Sequence, residues 1–118
     1  MQLHTVLSAI VLSALAAAPA VAAEDTSPYT VLITGANRGI GYELARQYAE
    51  QGWTVIATAR SPGDATDLKK LAAERSSVRI EKLDVTSERS VRALATRLRG
   101  TPIDVLINNA GILGNIDA

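Results

Sequence analysis

The sequence predicts an α/β fold with a doubly wound parallel sheet. Three short apolar runs and one segment of alternating apolar and polar residues, Val78 to Leu83, are separated by three segments whose apolar residues recur every three or four positions. This is the β-α-β order of parallel strands joined by right-handed crossovers. The first run leads directly into a turn with three glycines, Gly35, Gly39 and Gly41, and then into a helical pattern. Strand, glycine turn and helix in this order are typical of phosphate-binding sites.

The glycine turn follows the apolar run Val31-Leu-Ile33, which predicts a strand that is covered on both faces. Glycines permit a tight turn and a close approach of the backbone to a ligand. The N–H groups that begin the next helix would favour an anion by about 0.3–1 kcal/mol per charge. The spacing is G-x-x-x-G-x-G rather than G-x-G-x-x-G, and no G-K-[ST] of an ATPase P-loop follows. On glycine spacing alone, a plain surface turn remains an alternative.

The elements after the turn follow from periodicity and from helix stop signals. The first helix is predicted to end near Gly52 and to have an apolar face of Ile40, Leu44, Ala45, Tyr48 and Ala49. Trp53 to Thr58 is the second predicted strand, followed by Ala59-Arg60 and a loop at 61–64. Asp64 or Thr66 is expected to cap a second helix, which runs to Glu74 and buries Leu68, Leu71 and Ala72.

The last predicted elements are two strands and the helix between them. Val78 to Leu83 is the third strand, closed by Asp84-Val85. Thr86-Ser87 is expected to cap the third helix, with a buried stripe of Val91, Leu94, Ala95 and Leu98. Ile103 to Ile107 is the fourth strand, and residues 108–111 form a turn after it.

Composition excludes several classes of function. Lys plus Arg and Asp plus Glu number 12 each, so the net charge is zero and nothing indicates a nucleic-acid partner. The absence of Cys excludes disulfides, thiol nucleophiles and thiolate zinc sites. The single histidine, His4, lies near the N-terminus, so neither a histidine base nor a metal site with several histidines is expected.

Residues 1–23 are almost wholly apolar or small and contain no Lys, Arg, Asp or Glu. They are predicted to be a secretory signal that ends at an A-x-A site near Ala20 to Ala23, or else a membrane anchor. Localisation in the secretory pathway or periplasm follows from the first interpretation, and a membrane-anchored or cytoplasmic protein is the alternative. Residues 24–29 are then a linker, and residues 30–118 form the domain.

Three motifs and their order resemble the short-chain dehydrogenases/reductases. Thr34 to Gly41 resembles the T-G-x-x-x-G-x-G turn of that family, Leu83-Asp84-Val85 its adenine contact, and Asn108-Asn-Ala-Gly111 its N-N-A-G motif. The resemblance extends from about Tyr29 to Leu113. It implies a Rossmann-type sheet in which the four strands have the order 3-2-1-4, an incomplete version of the seven-stranded family sheet.

The resemblance also implies a role for each motif. Asp84 would accept a hydrogen bond from the adenine amino group and Val85 would cover the ring. Asn109, Ala110 and Gly111 would line the ribose side, whereas Asn108 is expected to tie the central strands together. The residues expected around the cofactor pyrophosphate are Gly35, Asn37, Arg38, Gly39, Ile40 and Gly41.

Charge at the end of the second strand predicts NADP rather than NAD. A carboxylate there would hold the ribose 2′-OH of NAD. Ala59 occupies that place, Arg60 follows it, and Arg38 lies in the glycine turn. Two guanidinium groups can bracket a 2′-phosphate, with about 1.5–3 kcal/mol for each charge-assisted hydrogen bond. A solvated loop charge is the alternative for Arg60.

The family's chemistry, by the same resemblance, needs a Tyr-x-x-x-Lys pair and a preceding Ser. None of the three tyrosines in the sequence is followed by Lys at the fourth position. We therefore expect an N-terminal fragment of an NADP(H)-dependent oxidoreductase that acts on a carbonyl or alcohol, with no catalytic residue of its own and no turnover. An apolar fourth strand at the edge would invite pairing with another chain, including a second copy. The alternative is a non-catalytic nucleotide-binding or interaction module.

Overall fold

The computed structural model describes residues 28–111. The predicted signal or anchor, most of the linker and residues 112–118 lie outside the described residues. The elements in chain order are strand β1 (Thr30–Ile33), helix α1 (Gly39–Glu50), strand β2 (Thr54–Ala59), a 3₁₀ helix (Pro62–Asp64), helix α2 (Thr66–Glu74), strand β3 (Val78–Lys82), helix α3 (Glu88–Arg97) and strand β4 (Val105–Ile107). Within this part of the chain, no helix is long and apolar enough to cross a membrane.

The four strands form one parallel sheet with the order β3-β2-β1-β4. This confirms the predicted fold and strand order. β1 is central, and Leu32 is in register with Ile56 on one side and Leu106 on the other. Since parallel strands run in one direction, the segments that follow β1, β2, β3 and β4 all emerge at the same edge of the sheet.

The core has two layers because successive strand residues point to opposite faces. On one face, Val31, Ile33 and Val55 pack with α1 and α2. On the other face lies a smaller cluster, formed by Leu32, Ile56, Leu83, Leu94 and Leu98. Helices on both faces of the sheet are what the continuous apolar strands require.

The predicted helix faces were wrong at their margins. Ile40, in the first turn of α1, is 74% exposed. The rest of the predicted α1 face is confirmed: Ala45 and Ala49 are buried in one row with Gly41, and Leu44 and Tyr48 pack against the core. In α3 only Leu94 is buried within the helix, with Leu98 at its C-cap, whereas Val91 and Ala95 are exposed. Leu94 and Leu98 form one row along α3, and that single row makes the contact with the sheet.

The caps agree with the prediction for one helix and contradict it for another. Ser87 is the N-cap of α3, and its side-chain oxygen accepts a hydrogen bond from Ser90 N at 3.2 Å. The N-cap of α2 is Ala65, without a side-chain cap. Asp64 ends the 3₁₀ helix and Thr66 is already helical, so neither residue has the position of a cap.

Candidate cofactor site

A cleft of about 450 Å³ lies where the segments after the four strands meet. Its lining comes from the glycine turn, the segment after β2, the segment after β3 and the turn after β4. The residues that line it are Gly35, Asn37, Arg38, Gly39, Arg60, Ser61, Asp64, Ala65, Leu83, Asp84, Val85, Thr86, Asn109, Ala110 and Gly111. Crevices at the carboxyl ends of parallel strands are the usual ligand sites of open α/β sheets.

The cleft brings together all the residues predicted for the cofactor except Ile40 and Gly41. Ile40 is exposed, and Gly41 is buried beneath the glycine turn. Leu83 of the Leu83-Asp84-Val85 motif also lines the cleft, together with four residues that sequence reasoning missed: Ser61, Asp64, Ala65 and Thr86. All four follow the end of β2 or β3, so the parallel topology itself was the signal that could have found them.

The glycine turn has little space for side chains except at Gly39. Gly35 has φ +63°, and a Cβ added there would lie 2.9 Å from Ala110 Cα. A Cβ on Gly41 would overlap the Gly35 carbonyl oxygen and lie 2.6 Å from Asn109 Nδ2. Gly39 has φ +59° and would meet nothing within 4 Å. Two glycines therefore permit close packing of the turn, whereas Gly39 faces open space.

The start of α1 supplies hydrogen-bond donors beside the cleft. The first hydrogen bond of the helix runs from Tyr42 N to Arg38 O at 3.3 Å. The N–H groups of Gly39, Ile40 and Gly41 precede it and have no acceptor within the helix. Arg38 is the N-cap, with extended backbone and no side-chain cap, and the first turn contains no acidic residue. This helix end is suited to an anion.

Thr34 and Asn109 join the glycine turn to the turn after β4. Thr34 Oγ1 accepts hydrogen bonds from Asn109 N and Ala110 N, both at 2.9 Å, and donates one to Ile107 O at 3.4 Å. The Asn109 amide donates to Thr34 O at 3.2 Å and to Gly35 O at 3.1 Å. The tie between central strands that was expected of Asn108 is thus made by Asn109, while Asn108 is exposed. Thr34, which holds both turns, was not among the predicted site residues.

Asp84 is oriented by its own loop. Its Oδ1 accepts hydrogen bonds from Thr86 Oγ1 at 2.6 Å and from Thr86 N at 3.0 Å. Its backbone N donates to Ser90 Oγ at 2.9 Å, which ties the loop to α3. The hydrogen bonds from the Thr86 side chain and backbone, aided by the charges of Arg60 and Lys82, hold the pKa of Asp84 below its ordinary value. Asp84 is therefore an ionised acceptor at neutral pH.

Arg60 lies immediately after β2, where the backbone leaves the sheet. Ala59, the last residue of β2, is buried and pairs with Lys82 of β3. Arg60 is exposed and lines the cleft together with Arg38. The Arg60 guanidinium is therefore the first side chain after β2 that can reach a ligand in the cleft.

Comparison with known proteins places this arrangement in a family. The family profile described as short chain dehydrogenase matches residues 29–118. The chain belongs to the short-chain dehydrogenase family. The match covers all four strands and the segments that line the cleft, and the Rossmann-type sheet is the family's own fold.

Several curated short-chain dehydrogenases are similar over most of this chain. (−)-Isopiperitenone reductase from Mentha piperita is 40% identical over an alignment of 90 residues that covers 70% of this chain and 29% of that protein. (+)-Neomenthol dehydrogenase from Arabidopsis thaliana is 39% identical over an alignment of 101 residues that covers 80% of this chain and 34% of that protein. The chain thus spans about a third of the length of the curated relatives it matches.

Solved structures of short-chain dehydrogenases show the same fold. A short-chain dehydrogenase/reductase from Burkholderia multivorans with bound NADP has a TM-score of 0.68 and 41% identity, over 74% of this chain and 38% of that one. An NADPH-bound carbonyl reductase from chicken fatty liver has a TM-score of 0.65 and 38% identity, over 75% of this chain and 36% of that one.

Proposed function

We propose that this chain binds NADP(H), as the cofactor-binding part of a short-chain oxidoreductase that exchanges hydride with a carbonyl or alcohol. The observation that carries the proposal is the single cleft that joins the donor-rich start of α1 to Arg38 and Arg60. The relatives with bound NADP or NADPH support the choice of cofactor. When bound, the nicotinamide supplies or accepts the hydride.

The residues of the cleft fit the parts of this cofactor. The N–H groups of Gly39, Ile40 and Gly41 would hold the pyrophosphate, and the open space at Gly39 leaves room for its close approach. Asp84, ionised and fixed by Thr86, would accept a hydrogen bond from the adenine amino group. Its Oδ1 already accepts two hydrogen bonds, so Oδ2 is the oxygen available for that contact.

Charge at the end of β2 favours NADP over NAD. The place where an NAD site carries a carboxylate holds the buried Ala59, and the next side chain is the exposed guanidinium of Arg60. A guanidinium can form paired hydrogen bonds with a phosphate, whereas a carboxylate would repel it. Arg60 and Arg38 would therefore hold the 2′-phosphate between them.

Titration of an Arg60→Asp variant with NADPH and NADH tests the choice of cofactor. Loss of one charge-assisted contact, about 1.5–3 kcal/mol, should weaken NADPH about tenfold or more. NADH, which lacks the 2′-phosphate, should change little. Arg75→Asp is the matched control, since Arg75 is also exposed and lies after α2, outside the cleft. Unchanged NADPH affinity in Arg60→Asp would overturn the assignment.

We further propose that the 118 residues bind the cofactor without turnover. The sequence contains no Tyr-x-x-x-Lys, the pair that moves the proton in this family. NADPH binding with no oxidation in the presence of carbonyl substrates is the expected result. Measurable NADPH oxidation, absent from an Arg60→Asp variant, would contradict it.

A further inference from the structure

The formal charges of the side chains that line the cleft sum to zero. Arg38 and Arg60 contribute two positive charges, and Asp64 and Asp84 contribute two negative ones. NADP carries more negative charge than NAD, so positive side chains in the cleft strengthen its binding more, and carboxylates in the cleft weaken its binding more. The position of each carboxylate relative to Arg60 therefore bears on which cofactor binds.

Asp64 is the carboxylate on the same segment as Arg60. It ends the 3₁₀ helix Pro62–Asp64, and its N–H donates to Ser61 O at 3.0 Å, which folds the segment back just after Arg60. Both residues are exposed and line the cleft. The turn thus brings a negative charge to the cleft within four positions of the cation that would bind the 2′-phosphate.

The Asp64 carboxylate is not engaged elsewhere. Among residues 28–111 it takes part in no hydrogen bond or ion pair, whereas Asp84 Oδ1 accepts from Thr86. The nearby cation, Lys69, donates instead to the Gly63 carbonyl oxygen at 3.2 Å. The negative charge of Asp64 therefore acts on the cleft without a hydrogen-bonded counter-ion.

We propose that Asp64 is a specificity-determining residue, whose carboxylate weakens binding of the 2′-phosphate and so narrows the preference for NADP over NAD. This inference rests on the proposed function. Arg60 raises the affinity for NADP relative to NAD, and Asp64 lowers it. The ratio of the two affinities is therefore smaller than Arg38 and Arg60 alone would produce. Removal of the Asp64 charge should sharpen the preference for NADP.

The test compares Asp64→Asn with Asp67→Asn in the full chain, by isothermal titration with NADPH and NADH. Both residues are exposed and both variants remove one negative charge, but Asp67 lies in the first turn of α2 and does not line the cleft. Asp64→Asn should bind NADPH about twofold to fivefold more tightly at low ionic strength, the range of one exposed charge pair. NADH should change less than NADPH, and Asp67→Asn should change neither.

Salt provides a second measurement. Exposed charges are screened over about 10 Å at 0.1 M ionic strength and about 3 Å at 1 M, so the gain in Asp64→Asn should shrink as salt is added. Unchanged or weaker NADPH binding in Asp64→Asn overturns the proposal, as does an equal gain for NADH or for Asp67→Asn. If the wild-type chain binds neither cofactor, the proposed function itself fails. If Arg60→Asp loses NADPH and Asp64→Asn does not gain it, only the role of Asp64 fails.

Discussion

Thr34 and Thr58 are both buried, but their hydroxyl groups differ in hydrogen bonding. We therefore expect a Thr→Val substitution to have opposite effects on stability at the two positions. Thr34 is 5% exposed and its hydroxyl makes three hydrogen bonds, whereas Thr58 is fully buried and its hydroxyl has no partner among residues 28–111. Valine has nearly the shape of threonine without the hydroxyl. Thr34→Val should therefore destabilise the chain, and Thr58→Val should stabilise it or leave it unchanged.

The magnitudes follow from which groups lose a partner. In Thr34→Val the N–H groups of Asn109 and Ala110 lose their acceptor, at about 1–3 kcal/mol for each buried group. Both groups are only partly buried, so we expect about 2–3 kcal/mol in total. The Ile107 oxygen keeps the hydrogen bond from Thr34 N at 3.0 Å and costs little. Thr58→Val removes an unpaired buried hydroxyl and should gain up to about 1 kcal/mol.

Urea unfolding at pH 7, followed by the fluorescence of Trp53, measures both effects. Thr34→Ser is the control, because it keeps the acceptor oxygen and loses only a methyl group, about 0.8 kcal/mol. The expected order of stability is Thr58→Val, wild type, Thr34→Ser and then Thr34→Val. If the two valine variants unfold at the same urea concentration, the hydroxyl of Thr34 does not hold the two turns together.

The remaining predictions concern packing, capping and pH. Gly41→Ala should lower the free energy of unfolding by about 3 kcal/mol, because the added Cβ would overlap the Gly35 carbonyl oxygen. Gly63→Ala is the control: a Cβ there would meet nothing within 4 Å and should change the free energy of unfolding by less than about 0.5 kcal/mol. Equal urea midpoints for the two variants would refute the clash at Gly41. Ser87→Ala should cost about 1 kcal/mol by loss of the α3 cap, and unchanged helix content and midpoint would contradict it. At Glu81, burial raises the pKa, but hydrogen bonds from Arg97 and Arg79 outweigh burial and lower it below its ordinary value. The ionised Glu81 carboxylate therefore stabilises the fold above its unfolded pKa of about 4.3, and this stabilisation is lost as pH falls through the folded pKa. Glu81→Gln has no carboxylate to protonate, so its free energy of unfolding should fall less than that of wild type between pH 6 and pH 3.

The sheet could be predicted from the sequence because its central strands contain successive apolar residues, as in Val31-Leu-Ile33, so that both faces must be covered. Glycine and proline signals mark the ends of the helices. The helix faces were harder. In α1 the buried row begins with Gly41, so hydrophobicity pointed to the neighbouring Ile40, which is exposed. Periodicity shows which residues share a helix face, but it does not show how many of them contact the sheet.

The sequence motifs predicted most of the residues that line the cleft. Gly35, Gly39, Arg60 and Asp84 lie around it, whereas Gly41 is buried and does not line it. Thr34 escaped because a threonine at a strand end has many uses, and only the tertiary fold brings the turn after β4 to its hydroxyl. Asp64 escaped because a 3₁₀ turn, rather than any periodic pattern, carries it to the cleft.

The row of small residues in α1 also affects how the site can tolerate change. Gly41, Ala45 and Ala49 have no side-chain torsion to vary, and at Gly41 the helix meets the glycine turn backbone against backbone. The position of the N–H groups at the start of α1 therefore depends on contact between backbone atoms rather than on side-chain rotamers. Exchange of larger core residues such as Leu68 or Val55 should therefore alter the stability of the chain more than it alters the position of the N–H groups at the start of α1.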